Sequence, residues 1–266
     1  MGTSTSSSGA PSCVPFDPPW ISSIADKILP DVNGGESSTV VSGPARFLGA
    51  RRNLSRFITS GDRNALKRTI SNYVRHGLGG ARQATSRFRI PIAASVALIS
   101  DLRKVIGIDE DDQDGDWIQR VKVASDPISA LAEELGKRII PEGGSIDEES
   151  CRKSIAYAMS EFQRENPDID IDNFVEDTIF DIAELFLLNE IYNRILIDLG
   201  QCFERMDISK IAEREDAIKL YARSSLSAQI RRLRRTNGSA TKTELLELVT
   251  TIMNDTFEVF AGGNYE

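Results

Sequence analysis

The sequence predicts an all-α protein in which a bundle-like helical body follows a disordered N-terminal tail. Apolar residues recur at helical spacing from residue 45 onward, capping motifs punctuate the chain, and no stretch alternates as a strand would. The tail is rich in Gly, Ser and Pro and has too few apolar side chains to offset the entropy lost on ordering. We expect three segments: a tail and linker over 1–44, a basic helical segment over 45–107, and an acidic helical domain over 117–262.

Glycine and proline mark the helix boundaries of the basic segment. Residues 60–62 (Ser-Gly-Asp) offer a helix start, and residues 77–80 (Gly-Leu-Gly-Gly) supply the left-handed cap that ends a helix. We expect further helices over 81–89 and, restarted by Pro91, over 92–106. The helix that precedes the glycines carries one apolar stripe, formed by Leu66, Ile70, Tyr73 and Val74.

The acidic domain begins after a boundary at residues 107–116, which carry six acidic side chains. Asp126 followed by Pro127 predicts a helix start, as do the capping boxes that begin at Ser145 and Thr241. Between these starts we expect one long helix over roughly 170–205 and another over roughly 209–235.

The net charge of −8 hides a strong asymmetry along the chain. Residues 46–104 contain thirteen Lys and Arg against two acids, whereas residues 105–266 contain eighteen against thirty-four. Such a split is typical of a basic module that binds a polyanion, or of two parts that attract each other. Arginine also pairs well with carboxylates, which the acidic half of the same chain offers. The candidate binding residues, for nucleic acid or for protein, are Arg46, Arg51, Arg52, Arg56, Arg63, Arg75, Arg82 and Arg87.

The sequence contains no recognisable catalytic constellation. The single histidine, His76, is predicted to be a surface or capping residue. Asp177, Asp181 and Glu184 share one helical face, with Glu190 less closely aligned, and this chain lacks the Glu-x-x-His motifs of di-iron bundles. These carboxylates therefore indicate a solvated or partner-facing acidic face. We expect no enzyme activity, no metal and no cofactor; the alternative is an enzyme whose site assembles from distant residues.

The composition predicts a cytoplasmic protein without membrane contact. No apolar run reaches membrane-spanning length, and the first twenty residues lack the basic and apolar regions of a signal peptide. Three widely spaced cysteines favour a reducing compartment. The start fits the myristoylation pattern through Gly2 and Ser6, although Ser-rich tails match it easily. Removal of Met1 would leave the unhindered α-amine of Gly2, whose pKa near ~8 makes it a fair nucleophile.

Two stretches of the chain carry a resemblance to a known family. The first is the opening Met-Gly-Thr-Ser with its Ser/Gly/Pro tail and residues 18–20 (Pro-Pro-Trp). The second runs from residue 43 to Arg87 and includes residues 43–47 (Gly-Pro-Ala-Arg-Phe), 60–62 and 73–80 (Tyr-Val-Arg-His-Gly-Leu-Gly-Gly). Together they resemble the QatB family, a component of the bacterial Qat anti-phage defence system.

This resemblance implies partners encoded alongside: an ATPase, a QueC-like enzyme of the QatC type, and a TatD-like nuclease. QueC enzymes activate a carboxylate with ATP for attack by ammonia, and the defence-associated relatives take a protein N-terminus instead. The resemblance thus implies that the Gly2 amine is the acceptor and that Thr3 and Ser4 enter the partner's channel. Gly9 is the fallback acceptor if the tail is trimmed.

The expected function is that of a non-catalytic defence component whose N-terminus is modified and whose helical body docks the QueC-like enzyme, with the ATPase and the nuclease as further partners. The alternative is a nucleic-acid-binding helical module that acts through residues 46–104.

Overall fold

The computed structural model describes residues 46–109, 116–140, 145–203, 208–235 and 240–262 of the chain. Within these ranges the protein forms ten α-helices and no strand, which confirms the predicted fold class. The predicted tail, 1–44, lies outside the described residues. In chain order the helices are α1 Leu48–Ser60, α2 Arg63–Asn72, α3 Ala81–Arg87, α4 Arg89–Val105, α5 Asp116–Lys122, α6 Pro127–Ile139, α7 Ile146–Glu165, α8 Glu176–Leu199, α9 Ile208–Ile230 and α10 Lys242–Ala261.

The predicted helix starts are confirmed by the side chains that cap them. The Ser145 hydroxyl accepts from the Glu148 amide at 3.2 Å, while the Glu148 carboxylate accepts from the Ser145 amide at 2.9 Å. Each such cap satisfies backbone N–H groups that a helix leaves unpaired, and its loss costs about 1 kcal/mol. The capping residues found at predicted starts are Asp62, Asp126, Ser145 and Thr241.

The two longest predicted helices are shorter in the structure. The stretch expected as one helix over roughly 170–205 contains a 3₁₀ turn at Ile171–Asn173, then α8, then a second 3₁₀ turn at Gly200–Cys202. The break before α8 occurs because the Asp170 side chain caps the first turn and Val175 is extended, with φ −125° and ψ 170°. The helix expected to reach residue 235 ends at Ile230 and is followed by a 3₁₀ turn at Leu233–Arg235.

A π-helical turn at Tyr73–Leu78 separates α2 from α3, where the sequence predicts only the end of a helix. Gly79 ends this turn with a φ of 90°, a conformation that glycine adopts without a steric penalty. The apolar stripe predicted for α2 therefore continues into the turn, and all four of its residues are buried. Pro91 lies in the first turn of α4, which begins at Arg89.

Helix α8 forms the centre of the core. Its residues 182–192 are buried on every side, because the helix packs against α4, α7 and α9 at once. Most of these buried residues are apolar, as expected for a helix in a protein interior, and the exceptions are Glu184, Asn189 and Glu190. Neither α8 nor any other helix in the described ranges is long and apolar enough to cross a membrane.

The basic and acidic segments share a single hydrophobic core. Helix α4 of the basic segment packs against α8, and α10 of the acidic segment packs against α3 and α4. The rings of Phe88 and Phe257 meet across this junction with their centroids 5.0 Å apart. The charge boundary predicted at residues 107–116 therefore does not divide the described helices into two separate packing units.

Buried Arg103 ties three parts of the chain together. Its side chain on α4 is 1% exposed, and its Nη2 lies 3.0 Å from Oε1 of Glu176 in the first turn of α8. Its Nη1 donates to the carbonyl oxygen of Ala240, just before α10, at 3.1 Å. In the sequence, Arg103 is one of many basic residues in its segment, and only the structure shows that its charge is buried.

Candidate partner-binding surface

The predicted N-terminal site lies outside the described residues. Gly2, Thr3, Ser4 and Gly9 all precede Arg46, with which the described part of the chain begins. The geometry of the candidate site therefore rests on the predicted arginines of the basic segment.

The eight predicted arginines do not form one uniform surface. Arg46 and Arg87 are partly buried, while the other six are exposed. The guanidinium carbons of Arg46 and Arg51 lie 4.6 and 5.9 Å from the centre of the Phe47 ring, a cation–π arrangement that fixes both side chains. Arg51 also donates to the backbone carbonyl of Asp198 at 3.1 Å. Arg46 and Arg51 thus contribute contacts within the protein, and Arg87 is partly buried.

Seven other cations of the basic segment are exposed, five of the predicted arginines together with Lys67 and Arg68, and we call the surface that they occupy the basic face. It covers the exposed sides of α1, α2, the π-helical turn and α3, which pack against one another. Asp62, the only acid between residues 46 and 100, caps α2. No member forms an ion pair with another residue of the described ranges, so their charges add. The members are Arg52, Arg56, Arg63, Lys67, Arg68, Arg75 and Arg82.

The acidic half of the chain neutralises little of this basic face. Its carboxylates pair mainly with its own arginines: Arg194 with Asp147 at 2.9 Å, and Arg234 with Asp177 at 3.1 Å and with Asp181. The pairing between Arg103 and Glu176 is the clear exception. Attraction between the two halves, one of the sequence-based interpretations, therefore accounts for the pairing of Arg103. It does not account for the basic face, whose cations form no ion pair within the described ranges.

The predicted acidic face is divided between the surface and the core. Asp177 and Asp181 lie at the surface, where Arg234 neutralises them. Glu184 and Glu190 are buried instead, with 8% and 4% exposure, so the prediction of a solvated or partner-facing side chain is wrong for these two. Polar partners make this burial possible, because a buried charge without partners is very costly. Glu184, for example, accepts from the Ser227 hydroxyl and lies 3.6 Å from Arg223.

Glu190 is embedded in a network of polar side chains between α7 and α8. Its Oε1 accepts from the hydroxyls of Ser150 at 3.0 Å and Ser154 at 2.5 Å. The Ser154 oxygen in turn accepts from the side-chain amides of Asn189 at 2.9 Å and Asn193 at 3.3 Å. Burial raises the pKa of Glu190 to about 7, although the serine hydrogen bonds act in the opposite direction.

Glu190 also lines a small recess, which we call the polar recess. Its charged and polar walls come from α3, α7 and α8, and its apolar walls from the start of α4 and the end of α8. No motif in the sequence indicates it, because its residues are spread over more than a hundred positions. The lining residues are Arg87, Phe88, Pro91, Asp147, Ser150, Glu190, Arg194 and Ile197.

The remaining candidates for chemistry have ordinary surroundings. His76 is exposed at the π-helical turn, as the sequence predicts. Cys151 is buried, and burial together with the negative charge of Glu190 raises the pKa of its thiol well above the usual value. A thiol with a raised pKa carries little thiolate and is a poor nucleophile.

Comparison with known proteins identifies the family. A family model described as "Qat anti-phage system associated protein QatB" matches residues 79–260, from the end of the π-helical turn through nearly all of α10. This stretch is largely the acidic helical part of the chain, whereas the sequence resemblance rested on the first third. Searches of curated proteins and of solved structures gave no match. Because the family model spans more than half of the chain, the protein belongs to the QatB family.

Proposed function

We propose that the protein is a non-catalytic component of a Qat anti-phage system, whose Gly2 amine is modified by a QueC-like partner and whose helical body docks that partner. Family membership supports the placement in anti-phage defence. The basic face is the observation that carries the docking proposal, since its seven exposed cations form no ion pair within the described residues. We propose a cytoplasmic location and no cofactor for this function.

The docking surface and the acceptor amine can be far apart. At most about 3.5 Å per residue, the 44 residues from Gly2 to the start of the described body span up to about 150 Å. The body can therefore hold the partner while the N-terminus reaches the partner's active site. Glycine suits the acceptor position because no side chain hinders its amine, and Thr3 and Ser4 add little bulk behind it.

The modification is tested by intact-mass measurement of the protein co-expressed with the QueC-like partner, with fragmentation to locate any added mass. We expect a mass increase at Gly2 that is absent without the partner. Gly2→Ala is the matched variant, because alanine still permits removal of Met1 but adds one methyl group beside the amine. Gly2→Val adds more bulk, and Gly9→Val tests the fallback acceptor. An unmodified N-terminus, with defence intact in Gly2→Val, would contradict the proposal.

The docking surface is tested separately by co-purification. Charge reversal at two neighbouring positions of the basic face, Arg52→Glu with Arg56→Glu, should weaken binding of the QueC-like enzyme by about tenfold or more in co-purification. The matched control is Arg231→Glu with Lys242→Glu, which makes the same charge change at exposed positions outside the basic face. Equal retention of the partner by both double variants would rule out the basic face as the docking site. The ATPase and the nuclease serve as further bait in the same assay.

A nucleic-acid-binding function is the second candidate, and the same basic face favours it. If all seven cations contact phosphates of a single strand, the logarithm of the association constant falls with the logarithm of salt concentration with a slope of about −5. Fluorescence anisotropy with labelled DNA and RNA, at salt concentrations between about 50 and about 200 mM, measures this slope. A flat salt dependence, or the same slope in the variant with Arg52→Glu and Arg56→Glu, would exclude this function.

A further inference from the structure

A groove runs between α7 and α8 on the surface of the protein. One wall is the first half of α7, from Ser145 to Lys153, and the other is the end of α8, from Asn193 to Ile197. Its volume of about 620 Å³ is comparable with that of pockets that enclose a drug-sized molecule. The Ile197 side chain is 57% exposed, and Leu196 beside it also lines the groove. The α8 wall therefore presents apolar surface to solvent inside a concave site, which is typical of a surface that binds another chain segment.

The dimensions of the groove suit a short helix. The eight residue steps from Ser145 to Lys153 cover about 12 Å along α7, at about 1.5 Å per residue. A helix of ten residues is about 15 Å long. An amphipathic helix that lays its apolar side into a groove is a common mode of peptide recognition. The groove therefore fits an amphipathic helix of about three turns.

Residues 20–29 of the tail, which lie outside the described residues, carry the sequence pattern of such a helix. At about 3.6 residues per turn, six apolar residues fall on one half of the helix circumference and four polar residues fall on the other half. Pro19 and Pro30 bound the segment, at positions where proline favours the start and the end of a helix. The apolar residues are Trp20, Ile21, Ile24, Ala25, Ile28 and Leu29, and the polar residues are Ser22, Ser23, Asp26 and Lys27.

A helix of this length needs a surface to bind. An isolated helix of ten residues is marginal in water, because its few hydrogen bonds do not offset the cost of nucleation. Covering the apolar half of the segment removes its side chains from water and supplies the missing free energy. The remainder of the tail is rich in Gly, Ser and Pro and offers the segment little apolar surface.

The tail joins the helical body beside this groove. The Phe47 ring, next to the first described residue, stacks on Tyr73 with the ring centroids 5.7 Å apart. The Tyr73 hydroxyl donates to the carboxylate of Asp198 at 2.8 Å, and Asp198 directly follows Ile197 of the groove. The sixteen residues from 30 to 45 span up to about 55 Å, so the segment can reach the groove easily.

We propose that residues 20–29 bind this groove of their own chain as an amphipathic helix, with the apolar half of the helix against Leu196 and Ile197. The polar half faces solvent, and the aliphatic stem of Lys153 covers one edge of the bound helix while its ammonium group stays in water. A tethered segment meets the groove at an effective concentration on the order of millimolar, which favours it over the tail of a second copy in dilute protein. The contact leaves residues 1–19 as the free end of the tail and does not depend on the proposed function.

Disulfide trapping in the full chain tests the contact. Ile197→Cys in the groove is combined either with Ala25→Cys, on the apolar half of the segment, or with Ser23→Cys, on its polar half. The two tail positions are two residues apart, so their tethers are nearly equal in length. Under mild oxidation of dilute protein, we expect the pair with Ala25→Cys to form its intramolecular disulfide about tenfold faster, because only that side chain faces the groove.

A second control replaces the position on the body. Leu220→Cys lies on α9, outside the groove, at an apolar side chain that is 66% exposed. Its disulfide with Ala25→Cys should also form about tenfold more slowly than the disulfide with the cysteine in the groove. All of these proteins carry Cys13→Ser and Cys202→Ser, which remove competing thiols, while Cys151 is buried and can stay.

A third measurement needs no added cysteine. Ile24→Asp with Ile28→Asp places two negative charges on the apolar half of the segment, and Ser22→Asp with Ser23→Asp places the same charge on the polar half. In nuclear magnetic resonance spectra of the full chain, the first pair should shift the amide signals of the α8 wall of the groove. The second pair should leave these signals in place.

Three results would overturn the proposal. Equal disulfide rates for the groove position and the α9 position, or for the two halves of the segment, would leave the groove for an external partner. Disulfides that join two chains instead of one would assign the groove to the tail of a second copy. Unchanged groove signals in the variant with Ile24→Asp and Ile28→Asp would show that the segment does not bind there.

Discussion

The pair of Arg103 and Glu176 provides the sharpest test of how the basic and acidic segments are held together. Changing Glu176 to Ala leaves the guanidinium of Arg103 buried and without its carboxylate. Removal of one partner from a fully buried ion pair costs about 3–5 kcal/mol. The Glu176 side chain is 28% exposed, so water can reach part of the vacated space and the lower end applies. We expect Glu176→Ala to lower the free energy of unfolding by about 3 kcal/mol.

Replacing Arg103, the other partner, should lower the free energy of unfolding by less. In Arg103→Met the buried charge is gone, an apolar chain fills most of its volume, and the partly exposed carboxylate of Glu176 turns to water. The carbonyl of Ala240 loses its donor, so a cost of about 1–2 kcal/mol is expected. The asymmetry between the two variants, with the loss of the anion costing more, is the signature of a buried guanidinium.

Urea denaturation followed by circular dichroism measures these differences, provided that the slope of the free energy against urea stays constant. The matched control is Asp177→Ala, which also removes a carboxylate from the first turn of α8. Its side chain is 70% exposed and pairs with Arg234 at the surface, so it should cost at most about 1 kcal/mol. The reasoning is refuted if Glu176→Ala costs no more than Asp177→Ala, or less than Arg103→Met.

Two further predictions concern tight packing and protonation. Gly77→Ala places a methyl group 2.5 Å from the Phe47 ring, and we expect it to lower the free energy of unfolding, measured by thermal denaturation, by about 1–3 kcal/mol. In the control Gly200→Ala the added methyl group meets no atom within 4 Å, so its free energy of unfolding should stay within about 1 kcal/mol of that of the parent protein. Equal effects of the two would contradict the close approach of the Phe47 ring to Gly77. The folded-state pKa of Glu190 is raised to about 7, so the parent protein loses stability as pH rises from 4.5 to 7. The stability of Glu190→Gln relative to the parent should therefore increase over that range, by at most about 3 kcal/mol, and then level off; a constant difference would refute the raised pKa.

Local signals in the sequence predicted most of the helices correctly. Capping residues act within one turn of the chain, so Ser145 with Glu148 and Thr241 with Glu244 could be identified without knowledge of the fold. Helix ends were predicted less well. The helix that contains Ile230 was expected to continue to residue 235, and the π-helical turn before Gly79 was not foreseen, because both depend on packing against distant elements.

The candidate sites, like the helix ends, could be predicted from the sequence only in part. The basic bias of residues 46–104 is visible in the composition, but which arginines stay at the surface depends on tertiary contacts. Arg51 stays exposed and donates to the backbone of Asp198, Arg87 is partly buried, and Arg103 is fully buried. The polar recess was not predictable, because Arg87 and Glu190 come together only when α3 packs beside α7 and α8.

The sequence by itself determined the helical class, the caps, the charge asymmetry and the family, because each is recorded in the residue types or in their local spacing. The tertiary structure alone decided that the two oppositely charged segments share one core and that Glu190 is buried. It also decided that the seven cations of the basic face have no acidic partner within the described residues. The physical reason is that burial and charge pairing depend on which helices pack together, and the spacing of residues along one helix does not specify its neighbours.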